Sequence, residues 1–202
     1  MIHFDEASHT YWHNNVKVPG VTSILSPLKD YSKVDKDVLE AASIRGTYVH
    51  LCTELYDRDE LDLDSPDLLH RGYVEAWVKF RRETGFTPTA IEQVVFHPTH
   101  FYAGKLDREG YFSFGPEKDD LFTLDVKTVS GTLTDEVGIQ LMAYQEARRI
   151  ELLKQNAPIP TKRIAIQLRE DGTYRRYDYK EKNDFAVFLS LLTVQRWKES
   201  RK

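Results

Sequence analysis

Four short segments carry side chains suited to one chemistry. Asp125-Val126-Lys127 sets a carboxylate and an ammonium two residues apart. On a strand, residues two apart share a face, so the two groups lie side by side. Tyr102-Ala103-Gly104-Lys105-Leu106-Asp107 ends in a second carboxylate. Arg45-Gly46-Thr47-Tyr48-Val49-His50 is followed four residues later by Glu54, and Gln140 stands four residues before Tyr144. Positions four apart on a helix share a face. Two carboxylates, Asp107 and Asp125, on adjacent strands make an oxygen-rich negative pocket suited to Mg2+ or Mn2+. An imidazole from His50 completes such a shell and tilts it toward Mn2+. Lys127 beside the ion can orient or deprotonate a water, or stabilise charge on phosphorus. A metal, a positioned water and a nearby cation are what phosphodiester hydrolysis requires.

Those residues need a sheet with helices against it. Ile2-His3-Phe4, Thr10-Tyr11-Trp12 and Val16-Lys17-Val18, with Asn14-Asn15 as a turn pair, predict an opening hairpin that ends at Pro19-Gly20. Val21 to Leu25 predicts a short helix capped by Thr22 or Ser23. Val38, Ala41, Ala42, Arg45, Val49 and Cys52 recur at helical spacing over 35–57. Leu69, Tyr73, Ala76 and Phe80 do so over 66–84, with Pro66 near the start and Gly85 past the end. The period then becomes two, predicting strands over 91–96, 101–114 and 121–127. A helix over 135–155 stops at Asn156, Pro158 and Pro160. Strands over 163–168 and 174–179 pair around Asp171-Gly172. A last helix over 181–200 has Phe185, Phe188, Leu189, Leu192 and Trp197 on its apolar side. This order predicts one α/β (α+β) domain, a central mixed sheet flanked by helices. Its parts are a leader of hairpin and short helix over 1–34, a core over 35–178 and a C-terminal helix over 179–202.

A length of 202 residues suits a single domain. With one cysteine, Cys52, a disulfide framework and a multi-cysteine zinc or iron–sulfur site are both excluded, and Cys52 reads as a small packing residue. Met1-Ile2-His3-Phe4-Asp5-Glu6 has neither the basic nor the apolar region of a signal peptide. No run approaches ~18 consecutive apolar residues. The expected location is the cytoplasm, with no membrane partner. The net charge of −4 speaks against a nucleic-acid partner. That charge is uneven: residues 161–202 hold 11 Lys and Arg against 6 Asp and Glu. Arg163, Arg169, Arg175 and Arg176 in that segment are the expected phosphate contacts. The acids from Glu54 through Asp57 to Asp67 read as a solvated loop. His97 and His100 flank a proline turn and, like His9 and His13, are expected in solvent. Arg108 reads as a surface partner of Asp107. Tyr11, Trp12, Tyr48, Tyr73 and Trp77 are rings that could stack on bases.

Together the four segments resemble the PD-(D/E)XK nuclease superfamily, specifically its RecB-like and phage exonuclease branch. The matching residues are Arg45-Gly46 with His50, Gly104 with Asp107, Asp125-Val126-Lys127, and Gln140 with Tyr144. The lead-in from Glu92 through His97-Pro98 to Gly104 also looks like that branch, and Phe4-Asp5 through Leu25 looks like a leader of its phage-type members. The resemblance covers roughly residues 1–178. It implies a restriction-endonuclease-like core in which His50, Asp107, Asp125 and the Val126 backbone carbonyl bind Mg2+ or Mn2+. Lys127 would be the catalytic lysine, acting with Asp107 and Asp125, while Gln140 and Tyr144 flank the site and position nucleic acid. Arg45, Glu54 and Glu92 would support the ligands or touch DNA. Leu106 stands where the superfamily's proline would be, the four cysteines of iron–sulfur members are missing, and there is no helicase motif. The expected function is a metal-dependent deoxyribonuclease, an exonuclease of phage or bacterial recombination, repair or replication. Its partners would be DNA and a replication or recombination protein. The rival readings are a structure- or sequence-selective endonuclease of the same superfamily and a non-catalytic DNA-binding or scaffold protein that keeps the fold. On this reading the divalent ion neutralises part of the acid excess, and DNA affinity is modest, metal-dependent and salt-sensitive.

Overall fold

Residues on the two faces of the strand Leu121–Lys127 separate two cores. Leu124 and Val126 join Val49, Trp77, Phe80, Phe86, Phe112, Phe122, Ile164, Ile166 and Leu168 in one buried cluster. Asp125 points the other way, toward Gln140. A strand buried on both faces is the mark of a sheet with helices on both sides. The computed structural model describes residues 1–201. In chain order the elements are β1 (Ile2–Asp5), β2 (Thr10–His13), β3 (Val16–Val18), α1 (Val21–Ile24), α2 (Lys36–Asp57), α3 (Arg71–Thr84), β4 (Phe86–His97), β5 (Tyr102–Phe112), β6 (Leu121–Lys127), α4 (Asp135–Gln155), β7 (Lys162–Leu168), β8 (Tyr174–Tyr179) and α5 (Asp184–Glu199). The protein is thus a mixed α+β fold. Its main sheet has the order β4-β5-β6-β7-β8, antiparallel except for the parallel pair β6–β7. A parallel pair needs a crossover, and α4 supplies it.

α2 and α3 cover one face of this sheet through the Trp77–Phe80 cluster. α1, α4 and α5 cover the other, around Val21, Ile24, Leu25, Tyr102, Leu106, Ala143, Phe188 and Leu192. The opening segment is a separate three-stranded antiparallel sheet, β1-β2-β3, rather than one hairpin. It is seated on the main body by Tyr11 and Val18 against Ala103, and by the Ala103 N–H donating to the Pro19 carbonyl at 3.0 Å. Among the described residues, no helix is long and apolar enough to cross a membrane.

Several boundaries differ from the sequence reading for identifiable reasons. α3 starts at Arg71 instead of 66 because Asp67 holds a turn there: its carboxylate accepts the His70 N–H at 2.8 Å and the imidazole Nδ1 at 2.9 Å. Leu69 consequently falls outside the helix and is exposed, as is Val38 at the start of α2. Trp197 is also exposed, so it leaves the apolar side of α5. β4 extends back to Phe86 through Pro88, which its place at the sheet edge and a register shift between Pro88 and Ala90 permit. α1 begins after Gly20 without any side-chain cap, so neither Thr22 nor Ser23 performs that role. His97 is buried, not solvated. Its Nδ1 accepts the His100 N–H at 3.0 Å and its ring stacks on Tyr102. Asp57 is no part of a solvated acidic loop: its fully buried carboxylate binds Arg81, Arg108 at 2.6 Å and the Trp77 indole at 3.1 Å.

Candidate metal centre

The site forms where regular strand pairing stops. The β5–β6 ladder runs from Tyr111–Leu121 to Arg108–Leu124 and ends. The next residues along the two strands are Asp107 and Asp125. Here a side chain replaces the ladder, the Val126 N–H donating to Asp107 Oδ2 at 2.7 Å. β5 also rotates at this point: Leu106 packs with α4 and α5, while Arg108 lies over the Trp77 ring. Across from them on β4, Glu92 has a left-handed backbone, φ 50°. That break in alternation turns its carboxylate toward the same spot. A cleft of about 680 Å³ opens over the break, lined by His50 of α2, Glu92, Asp107, Asp125, Lys127, and Gln140 and Tyr144 of α4.

The donors fall into two groups joined by one peptide. The first is His50, Glu92 and Asp107, which offer one ligand atom each within 4.8 Å of one another. The His50 Nε2 lies 3.0 Å from the Val126 carbonyl. A carbonyl can only accept, so Nε2 carries the proton. Nδ1 is left 3.7 Å from Asp107 Oδ2 and 3.8 Å from Glu92 Oε1. Fixing one imidazole nitrogen on a carbonyl aims the other, as metal-binding histidines require. Val126 itself serves both sides, its N–H on Asp107 and its carbonyl on His50. The second group is Asp125, Lys127, Gln140 and Tyr144. Asp125 Oδ1 accepts Gln140 Nε2 at 3.1 Å, and Oδ2 faces the Lys127 ammonium at 2.6 Å. Gln140 also donates to the Tyr144 hydroxyl at 3.0 Å and presents its carbonyl 3.5 Å from Lys127. α4 comes this close because residue 104 is glycine: a Cβ there would sit 2.4 Å from the Tyr144 ring.

Electrostatics separate the roles of these groups. Burial raises the Asp107 carboxyl to about 6, and Asp125 and Glu92 push the same way against His50 and Lys127. Burial acts upward on Glu92 too, but His50, Arg108 and Lys105 outweigh it and hold the group at about 2. Its two oxygens lie 2.8 Å from Arg108 and 3.0 Å from Lys105. Burial favours neutral His50, yet the Asp107 and Glu92 charges prevail and raise it. Burial likewise opposes the Lys127 charge, and Asp125 with Asp107 overcomes that and raises it. Burial lifts the Tyr144 phenol far up, so it stays neutral. The carboxylates crowd one another, and the buried Asp125 Oδ2 lacks an aligned hydrogen bond. A hard divalent cation with mixed oxygen and nitrogen donors fits this set.

Other expected participants sit elsewhere. Arg45 lies over the Tyr73 ring, 5.6 Å from its centroid, away from the carboxylates. Glu54 lines the cleft but pairs with Arg58 at 2.9 Å, not with His50. Tyr11, Tyr73 and Trp77 are buried, and the Tyr48 hydroxyl accepts the Asp67 N–H. Arg163 is buried against Asp184 at 2.5 Å, and Arg176 is held by Glu117 and Asp178, both at 2.6 Å. Neither is free for phosphate. Arg108, expected on the surface, is wholly buried. It donates to Glu92, to Asp57, to Thr53 and to the Asp107 carbonyl. Its place directly after Asp107 pointed to a surface pair instead. Lys105 and the Phe4 and His9 rings at the cleft wall carried no sequence signal. The chain matches no protein-family model and no curated protein.

Proposed function

We propose that the protein is a divalent-metal-dependent nuclease that hydrolyses phosphodiester bonds in DNA, with attack from strand ends as the expected mode. The observation that carries this is that Asp107 and Asp125 occupy the next positions past the end of the β5–β6 ladder, with Lys127 against Asp125 and with His50 and Glu92 grouped around Asp107. The resemblance to PD-(D/E)XK nucleases supports the same reading.

His50 Nδ1, Glu92, Asp107 and Asp125 are the groups that would hold the ion. When bound, it would draw charge from a phosphate and lower the pKa of a water. The chain does the rest. Lys127, kept protonated by Asp125 and Asp107, supplies a fixed cation for the charge that builds on phosphorus. Gln140 ties Asp125, Lys127 and Tyr144 into one unit, so their spacing survives the arrival of a substrate. Tyr144 accepts from Gln140 and keeps its own proton available for a phosphate oxygen.

The test is digestion of end-labelled linear DNA with Mg2+ or Mn2+. Cleavage is expected, with at least a hundredfold loss of kcat in Lys127→Ala. Activity that persists in EDTA, or is unchanged in Lys127→Ala, overturns the proposal. Covalently closed circles separate the modes: an end-dependent enzyme leaves them intact, and an endonuclease opens them.

A further inference from the structure

The cleft continues past the carboxylates to a wall of a different character. β1, β2 and the turn between them contribute Phe4, Glu6, His9 and Tyr11 to its lining. Phe4 is half-buried and His9 exposed. The Phe4 ring stacks on Tyr11 at 4.8 Å and stands perpendicular to the His9 ring at 5.2 Å. Tyr11 is buried, so it reaches the lining chiefly as the backing of Phe4. Lys105 joins this wall to the metal centre, its ammonium lying 3.0 Å from Glu92 and 5.8 Å from the centre of the Phe4 ring.

Resting on the nuclease reading, we propose that this wall stacks an unpaired nucleobase next to the scissile phosphate, which makes the substrate a single strand or a frayed end. Three observations carry it. The wall has aromatic surface and no free cation, since Lys105 is engaged by Glu92, and Glu6 repels phosphate. It therefore suits the base side of a nucleotide, not the backbone. It is continuous with the carboxylates, so one nucleotide can reach both. Inside a duplex both faces of a base are covered by its neighbours, so away from the terminal pair a ring meets a base face only when that base has left its stack. Base–aromatic stacking of this kind tolerates any sequence.

The experiment compares a normal single strand with one carrying abasic residues beside the scissile bond. For the intact protein the abasic strand should show a KM about tenfold higher. In His9→Ala, and in Phe4→Leu, which keeps apolar bulk against Tyr11, this ratio should shrink toward one because the normal strand has lost its advantage. Equal KM for the two strands in the intact protein, or an undiminished ratio in both variants, overturns the proposal. A 2-aminopurine oligonucleotide titrated into Lys127→Ala with Mg2+ reads stacking without turnover. Quenching that is lost in the added His9→Ala change supports the wall, and its absence in the parent overturns it. Failure to cleave any DNA overturns the nuclease reading alone, since the 2-aminopurine signal does not depend on cleavage.

Discussion

Arg108 shows how far a residue's role can lie from its type. A guanidinium next to Asp107 in sequence suggests a surface pair, but this one bridges the buried Asp57 and Glu92 and also binds the Asp107 carbonyl. With His50, the stronger influence, and Lys105, its charge helps hold Glu92 ionised at the rim of the donor set against burial. Removing one member of a buried ion network leaves an uncompensated charge. Arg108→Met should therefore cost about 3–5 kcal/mol in urea unfolding. Arg108→Lys should recover only part of it, because a lysine cannot fork between Asp57 and Glu92. Asp125 and Lys127 were legible because a straight strand makes residue spacing equivalent to direction. Glu92 was only half legible: its left-handed φ breaks the alternation from which direction is read. Arg108 was illegible because burial by Trp77, Thr53 and Asp57 depends on contacts more than 30 residues distant.

Element identity was largely readable, and most errors lie at ends and turns. α2, α4, β6 and β8 stand where the sequence put them, to within a residue. The turn between β4 and β5 departs from that reading in its burial, since a proline flanked by histidines looks solvated. Instead Phe185 and Tyr102 pack around His97, and the imidazole is used as an acceptor for the His100 N–H. Burial, reinforced by His100, depresses His97 to about 4 from its usual 6.5. In the unfolded chain His97 takes up a proton near its ordinary pKa, so between these values the unfolded state binds more protons and stability rises with pH. The contribution is fully present above pH 6.5, declines as pH falls through the interval and is gone below the folded value. Urea titrations of the parent and His97→Gln between pH 4 and 7.5 should show the parent's relative stability shrinking by on the order of 2 kcal/mol as pH falls. A pH-independent difference would contradict this.

At the scale of the whole molecule, the charge of −4 has to be read as a distribution. The C-terminal excess of basic residues, which suggested a phosphate track, is partly consumed inside the fold by Asp184 and Glu117. Arg169 and Arg175 stay exposed. The cleft itself is acid-rich. Binding to DNA should thus depend on the divalent ion more than on surface arginines. In fluorescence anisotropy, Lys127→Ala should bind a labelled single strand with Mg2+ and lose at least tenfold in affinity in EDTA. The plot of log affinity against log salt should have a shallow slope, about −2, as two or three phosphate contacts give on single strands. A steep slope that is unaffected by EDTA would point to an extended basic track.

The parallel pairing of β6 with β7 has a consequence for the order in which the chain is made. Every donor, from His50 to Lys127, precedes α4 in the chain, but β6 keeps one bare edge until Lys162–Leu168 arrives to pair Asp125 with Ala165 and Lys127 with Gln167. Gln140, which clamps Asp125, also lies in the crossover between the two strands. A nascent chain leaving the ribosome therefore carries all the acids well before it has a site, because long-range parallel pairing forms late. The cluster around Asp107 and Asp125 is among the last features this chain completes during synthesis, so unfinished copies lack it.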